Sequence, residues 1–257
     1  MFIVWGKKLV YRRLGYVGHF CPICRAPRQF EVQRVGLAGH VYYITSGDGD
    51  LVCHERTCQE CHTAVETDPA IYASFSKGLL PLAELTAKTY PNFAADLKER
   101  LELEEKVRTT PAFLTPNERS GLIQQPFVLL SPKVEARLAS FHFDVPMALY
   151  TIGAIFLAPM LIGVLGAILP ASVPPEYPVL AVGALALGIV IWQAIGTSRR
   201  FVNKQILPTL AKCLRPLKPT EAEMQGVLNE LKKYKHKLGS KLKIGDLMEA
   251  LRAPAPP

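Results

Sequence analysis

Cysteine is the residue whose spacing in this chain most clearly implies chemistry. Cys21-Pro-Ile-Cys24 is followed, after 33 residues, by Cys58-Gln-Glu-Cys61. A Cys-x2-Cys pair forms a tight knuckle presenting two thiolates, and two knuckles can close a tetrahedron around one ion. Cys21, Cys24, Cys58 and Cys61 are therefore the expected metal ligands. Zinc is the expected ion, with iron in a similar four-sulfur cage left open. Cys53, His54 and His62 stand near the second knuckle as spare ligands. The simpler place for Cys53 is the sheet, on the face of Leu51, because a free cysteine behaves as a small hydrophobe. A disulfide fits poorly with a reducing cytoplasm. A thioredoxin-like redox role would need one pair on a βαβ unit, not two matched pairs. A catalytic zinc keeps one coordination position open, and four cysteines leave none. The site is expected to hold a fold together, not to turn over substrate.

The elements that must position these thiols come next. Residues 28–35, 39–45 and 50–57 have strand chemistry, punctuated by Gly36, Gly39, Gly47 and Gly49, and the run SGDGD at 46–50 suits a hairpin turn. Residues 1–65 are thus expected to form a small antiparallel-β zinc ribbon. The opening Phe2-Ile3-Val4-Trp5-Gly6, the basic stretch behind it, CPIC, the aromatic run Val41-Tyr42-Tyr43-Ile44 and CQEC together resemble a bacterial family of membrane-associated zinc-ribbon proteins. The resemblance covers this segment only. It implies a structural metal site and no defined activity. Members typically place glycine after the second knuckle, where this chain has His62, and Arg25 follows the first.

Residues 66–144 read as a cytoplasmic α-helical connector. Helices are expected over 68–77, 81–89 and 91–108, after a capping box at Thr115-Pro116-Asn117-Glu118, and again from Ser131-Pro132 with Val134, Leu138 and Phe141 on one face. Asp96/Arg100, Glu102/Lys106 and Glu104/Arg108 are acid-before-base pairs at i,i+4, and the carboxylates are expected on a solvated face. Residues 147–198 are different in kind. Two uncharged apolar segments, 147–169 and 178–198, flank a proline-rich turn. About 20 apolar helical residues cross a hydrocarbon core of about 30 Å, so a two-helix transmembrane hairpin is expected. Neither span holds an acid, a base or a histidine, which argues against an ion or proton pathway. Small residues at Ala154/Ala158, Gly163/Ala167 and Ala184/Gly188 allow close packing of the two helices, or contact with a second copy in a homo-oligomer.

Charge fixes the orientation. Lys133 and Arg137 precede the first span, and Arg199, Arg200, Lys204, Lys212 and Arg215 follow the second, so both termini are expected in the cytoplasm at the inner membrane. The N-terminal MFIVWGKKLVYRR does not read as a signal peptide. The formal net charge is +8, and residues 199–257 hold 13 Lys and Arg against 5 Asp and Glu. This basic amphipathic tail is expected to begin with an interfacial helix presenting Phe201, Ile206, Leu207, Leu210 and Leu214. A second capping box, Thr220-Glu221-Ala222-Glu223, should open a helix reaching Leu238. Arg199, Arg200, Lys204, Lys232, Lys233, Lys235, Lys237, Lys241 and Lys243 are candidate contacts for anionic headgroups. Nucleic acid is the weaker partner, because the lysine cluster lacks arginine for base reading and has only Tyr234 for stacking. No metalloprotease helix, phosphate loop or nucleophile elbow occurs, so no enzyme activity is expected. The sequence therefore describes a multidomain membrane protein whose zinc ribbon and connector dock an unknown protein partner at the cytoplasmic face. A membrane-tethered nucleic-acid regulator and a metal- or redox-responsive sensor using Cys53 are the alternatives.

Overall fold

The computed structural model describes residues 5–41, 44, 45, 47–139, 145–168, 174 and 176–253. Expectations placed on Phe2-Ile3-Val4, Tyr42-Tyr43, Ser46, Phe141, the turn at 170–173 and 175, and the terminus at 254–257 lie outside the described residues. The chain forms two compact units. The first comprises Met1–Leu130, Thr209–Met224 and Leu251–Pro257; the second comprises Ser131–Pro208 and Gln225–Ala250.

The first unit is built on an antiparallel sheet. Its strands are β1 (Trp5–Cys21), β2 (Ala26–Val41), β3 (Ile44–Thr45), β4 (Asp50–Cys58) and β5 (Ala64–Glu66), in the order β1-β2-β4-β5 with β3 also on β2. The basic stretch before the first knuckle is itself a long strand, in addition to the three expected. It pairs with β2 from Trp5↔Val41 to Cys21↔Ala26, with a register shift between Arg13 and Gly15 that leaves Leu14 as an extra residue on β1. That ladder carries β2 straight through Gly36 and Gly39, so the strands expected at 28–35 and 39–45 merge into one. Val35 pairs with Cys53 but Gly36 with Leu51, leaving Val52 as an extra residue. The bulge breaks the strand parity expected for Cys53 and Leu51.

Val17, Phe20, Phe30 and Val32 are buried on the sheet, together with Leu85 of α1 (Leu82–Thr89). Each such side chain stabilises the unit by roughly 1.5–3 kcal/mol. α1 lies directly on β1: the Gly18 amide donates to Thr89 Oγ1 at 3.1 Å. A Cβ at Gly18 would stand 2.8 Å from Thr86 Cα, so only glycine allows this approach. Ahead of α1, the helix expected over 68–77 shrinks to a 3₁₀ turn at Pro69–Ile71, capped by Asp68 on the Ala70 amide at 2.9 Å. The chain then runs extended, because Ser76 and Tyr16 exchange backbone hydrogen bonds of 2.8 and 3.0 Å.

The long helix expected over 91–108 breaks at Leu97 into α2 (Phe93–Asp96) and α3 (Lys98–Thr109). Ion pairs along α3 run base before acid, Lys98–Glu102 at 3.9 Å and Arg100–Glu104 at 2.7 Å, in place of the acid-first pairs expected. α4 (Pro116–Ala139) starts at the expected capping box: the Glu118 amide donates to Thr115 Oγ1 at 3.2 Å, and the Thr115 amide donates to Glu118 Oε2 at 2.8 Å. It passes through Pro126 and Pro132 without ending, so no separate helix begins at Ser131. Burial of Ile123, Phe127, Leu130 and Val134 outweighs the backbone hydrogen bonds that the two prolines cannot make.

The second unit contains α5 (Val145–Ile168) and α6 (Glu176–Phe201), which run side by side. Between them lies an apolar cavity of about 580 Å³ lined by Leu149, Ala154, Ala158, Val182, Ala186 and Ile189. Among the described residues one helix is long and apolar enough to cross a membrane, Ala148–Leu165 within α5, and none of that stretch is buried. Among the described residues the apolar stretch of α6 is the shorter Glu176–Trp192. A hairpin of two full spans is therefore not supported.

A π-helical turn at Val202–Ile206 follows, then α7 (Leu207–Leu214), α8 (Glu221–Lys233), α9 (Lys237–Lys241) and α10 (Ile244–Arg252). The interfacial helix expected over 199–214 does not present its apolar face: Ile206, Leu210 and Leu214 are buried inside the protein. The capping box at Thr220 forms, with the Glu223 amide donating to Thr220 Oγ1 at 3.3 Å. Its helix stops at Lys233, short of Leu238. Lys235 there adopts φ +60°, and the chain doubles back so that Gly239 packs on Leu228 and Leu231 while Leu238 and Leu242 are buried.

Candidate metal centre

Cys21 ends β1 and Cys58 ends β4, while Cys24 and Cys61 sit in the turns that follow. The sheet register therefore brings both knuckles to one end of the ribbon. The four sulfurs lie within 4.8 Å of one another, with Cys21 Sγ 3.6 Å from Cys61 Sγ and Cys24 Sγ 4.0 Å from Cys58 Sγ. Metal–sulfur bonds of about 2.3 Å in a tetrahedron place sulfurs about 3.8 Å apart. The donor set fits a tetrahedral metal ion, and such a cage suits both zinc and iron. Cys21 and Cys58 are buried, whereas Cys24 and Cys61 are half-buried.

Backbone contacts shape each turn. The Cys24 amide donates to Cys21 Sγ at 3.4 Å, and Ile23 between them is buried. The Cys58 amide donates to Thr63 O at 3.1 Å, and the His62 amide to Cys58 O at 2.9 Å. The thiols share their protons unevenly. The hydrogen bond with Cys24 leads in holding the Cys21 thiol up, while hydrogen bonds led by Cys21 hold Cys61 far down and bring Cys58 to about 7. A metal ion takes thiolates, so loading releases protons.

No protein-family model matches the chain, and neither does any curated protein or solved structure. Arg25 and His62, the residues that directly follow Cys24 and Cys61, adopt φ +54° and +52°. Left-handed backbone costs a non-glycine residue roughly 1–2 kcal/mol. Arg25 uses its position: its Nε and Nη2 both lie 2.8 Å from Glu104 Oε2, while Arg100 Nη2 lies 2.7 Å from Glu104 Oε1. The side chains of Arg25 and Glu104 are 8% and 4% exposed. Burial pulls Arg100 below its ordinary value, opposed chiefly by Glu104, and its guanidinium stands 5.1 Å from the Phe20 ring centroid. Glu104 thus overturns the expectation of a wholly solvated acidic face.

A third element reaches the first knuckle. Cys213 Sγ, on α7, donates to Pro22 O at 3.5 Å, and burial pushes its thiol up to about 11. Lys212 beside it meets Glu60 of the second knuckle at 3.3 Å. Sequence reasoning missed Glu104 and Cys213 altogether; the usable signal was a charged residue, Arg25, where a turn wants glycine.

The remaining candidates stay apart from the sulfurs. Among the described residues the cluster consists of the four cysteines, without Cys53, His54 or His62. The Cys53 thiol is pushed up, first by burial and then by Glu55, whose Oε1 it reaches at 4.0 Å. His19 is buried in an aromatic nest, stacked on Tyr90 at 5.4 Å and edged by Phe30, Tyr72 and Phe93. Burial, aided by Arg56, holds its imidazole down to about 4. Of the basic candidates, Lys204, Lys232, Lys233, Lys235, Lys237, Lys241 and Lys243 are exposed, Arg200 is half-buried, and Arg199 pairs with Asp246 at 3.3 Å.

Proposed function

We propose that this is a membrane-anchored docking protein whose N-terminal ribbon is closed by one structural zinc ion. The observation that carries the zinc reading is the tetrahedral spacing of four cysteines from two knuckles. Four protein ligands leave no place for substrate, which supports a non-enzymatic role. The membrane reading rests on α5, whose apolar stretch Ala148–Leu165 has no buried part, where the core helix of a soluble protein would be covered. Lipid is the solvent that such a surface prefers. α6 packs along it as a shorter apolar arm, with Tyr150 and Tyr177 exposed in the first turns of their helices and Trp192 exposed at the end of the apolar stretch Glu176–Trp192, as in an interfacial belt. The basic residues at the C-terminal end of α6 belong on the cytoplasmic side of the inner membrane.

The docking reading rests on the opposite end of the sheet from the cysteines. Leu9, Tyr11, Val41, Ile44, Leu51 and Val52 are each 44% exposed or more, an apolar fringe that a protein partner would cover. The raised Cys53 thiol speaks against a redox sensor, which needs a low-pKa cysteine. Elemental analysis of the full chain tests the metal, with one zinc per chain expected and lost in Cys58→Ser, and light scattering with and without detergent tests the anchor. A chain that stays monodisperse without detergent, or holds no zinc, refutes the reading. A photo-crosslinker at Leu51 in native membranes should capture a discrete partner, and one at Lys98 should not.

A further inference from the structure

The second unit gives the lysines a setting that charge alone does not. Its segment Gln225–Ala250 carries Lys232, Lys233, Lys235, Lys237, Lys241 and Lys243 against Glu230, Asp246 and Glu249, and all six lysines are exposed. Two contacts fasten this segment to the ends of the apolar helices. His236 Nδ1 lies 3.0 Å from Glu135 Oε1, on the last turns of α4 just ahead of α5. Arg199 Nη2 at the end of α6 donates to Asp246 Oδ2 at 3.3 Å. The two bases are themselves joined, with the Arg137 guanidinium 5.5 Å from the Phe201 ring centroid. Immediately before the first fastening the chain makes its left-handed bend at Lys235, and the Tyr234 ring beside it is 69% exposed among lysines. An aromatic ring with a polar tip, ringed by cations and held where apolar helices emerge, is the composition of a headgroup-layer contact.

We propose that the bend Lys232–Lys243 is a binding site for anionic lipid headgroups, with Tyr234 entering the interface and the lysines meeting phosphate and carboxylate. The proposal rests on the membrane reading above and names the lipid class which that reading leaves open. Anionic phospholipid is favoured over nucleic acid because the fastenings hold the lysines beside the apolar helices and no arginine stands among them.

Amide hydrogen exchange on the full chain in lipid nanodiscs, with and without phosphatidylserine, tests it. Exchange over Tyr234–Lys243 should slow about tenfold or more in the anionic discs, given the attraction each surface lysine feels. High salt should abolish the slowing, and the variant K232Q/K233Q/K235Q/K237Q should not show it. Equal exchange in both discs, or slowing that persists in the variant, overturns the proposal while leaving the membrane anchor intact. Slowing produced by a DNA or RNA duplex in neutral discs, and not by phosphatidylserine, assigns the lysines to nucleic acid and also overturns it. A chain that fails to enter discs removes the anchor, and this site with it.

Discussion

Replacing Glu104 by Gln isolates the interaction that binds the helical part of the first unit to the first knuckle. The carboxylate receives Arg25 through one oxygen and Arg100 through the other, at 2.7–2.8 Å. Gln keeps the shape and removes the charge, so two guanidiniums remain inside without a counter-charge. Removing one partner of a buried pair costs roughly 3–5 kcal/mol. Arg100 is 22% exposed and can turn toward water, whereas Arg25 at 8% cannot, which puts the expected loss at the lower end, about 3 kcal/mol. Glu102→Gln is the matched control: its pair with Lys98 spans 3.9 Å with side chains 74% and 62% exposed, and should contribute less than about 0.5 kcal/mol. Urea unfolding of the full chain in micelles, followed by the near-ultraviolet signal of the Tyr72–Tyr90 cluster, reads both. With a slope of about 1–3 kcal/mol per molar, the Glu104→Gln midpoint should fall by about 1 M or more. If the two variants unfold within about 1 kcal/mol of each other, the buried network does not anchor the knuckle.

Three further outcomes follow from the same geometry. His62→Gly should stabilise the first unit by about 1 kcal/mol by relieving left-handed backbone, while His62→Ala gains nothing, as chemical unfolding of the zinc-loaded chain will show. Gly18→Ala should cost about 1–3 kcal/mol and lower the melting temperature, because the added methyl meets Thr86 where α1 crosses β1. Glu223 titrates near 2 instead of 4.5, chiefly because Arg119 holds its carboxylate. A depressed acid stabilises the fold above pH 4.5 and loses that effect as pH falls toward 2; solvent exposure limits it to about 1 kcal/mol. Glu223→Gln should flatten that part of the acid-unfolding curve, and an unchanged slope would count against the pair.

The sulfur cluster was legible because two knuckle spacings are local facts, and the sheet had only to bring them to one end. The two capping boxes were legible for the same reason: Thr115 with Glu118, and Thr220 with Glu223, act within a single turn. What the sequence hid was long-range. Glu104 looks like one carboxylate among many on a charged helix until Arg25, 79 residues away, is seen beside it. Cys213 shows no motif at all, because its contact is to a carbonyl 191 residues earlier. The helix expected to reach Leu238 ended early because its stop is a fold-back that buries Leu238, and periodicity cannot distinguish that from continuation. The same periodicity assigned Leu210 and Leu214 to a lipid surface when their partners are within the chain.

Among the described residues β1 stands at the rim of the sheet, with only the Tyr16–Ser76 bridge beyond it. A row of open amides and carbonyls is an invitation for any other extended chain to add itself, including another copy of this one. Lys7, Lys8, Arg12 and Arg13 along that strand make such stacking repulsive between copies. Neutralising Lys7 and Lys8 would lower that repulsion and leave in place the Arg12–Asp48 ion pair and the Arg13 contact with Tyr16, so the rim would pair more readily with another copy.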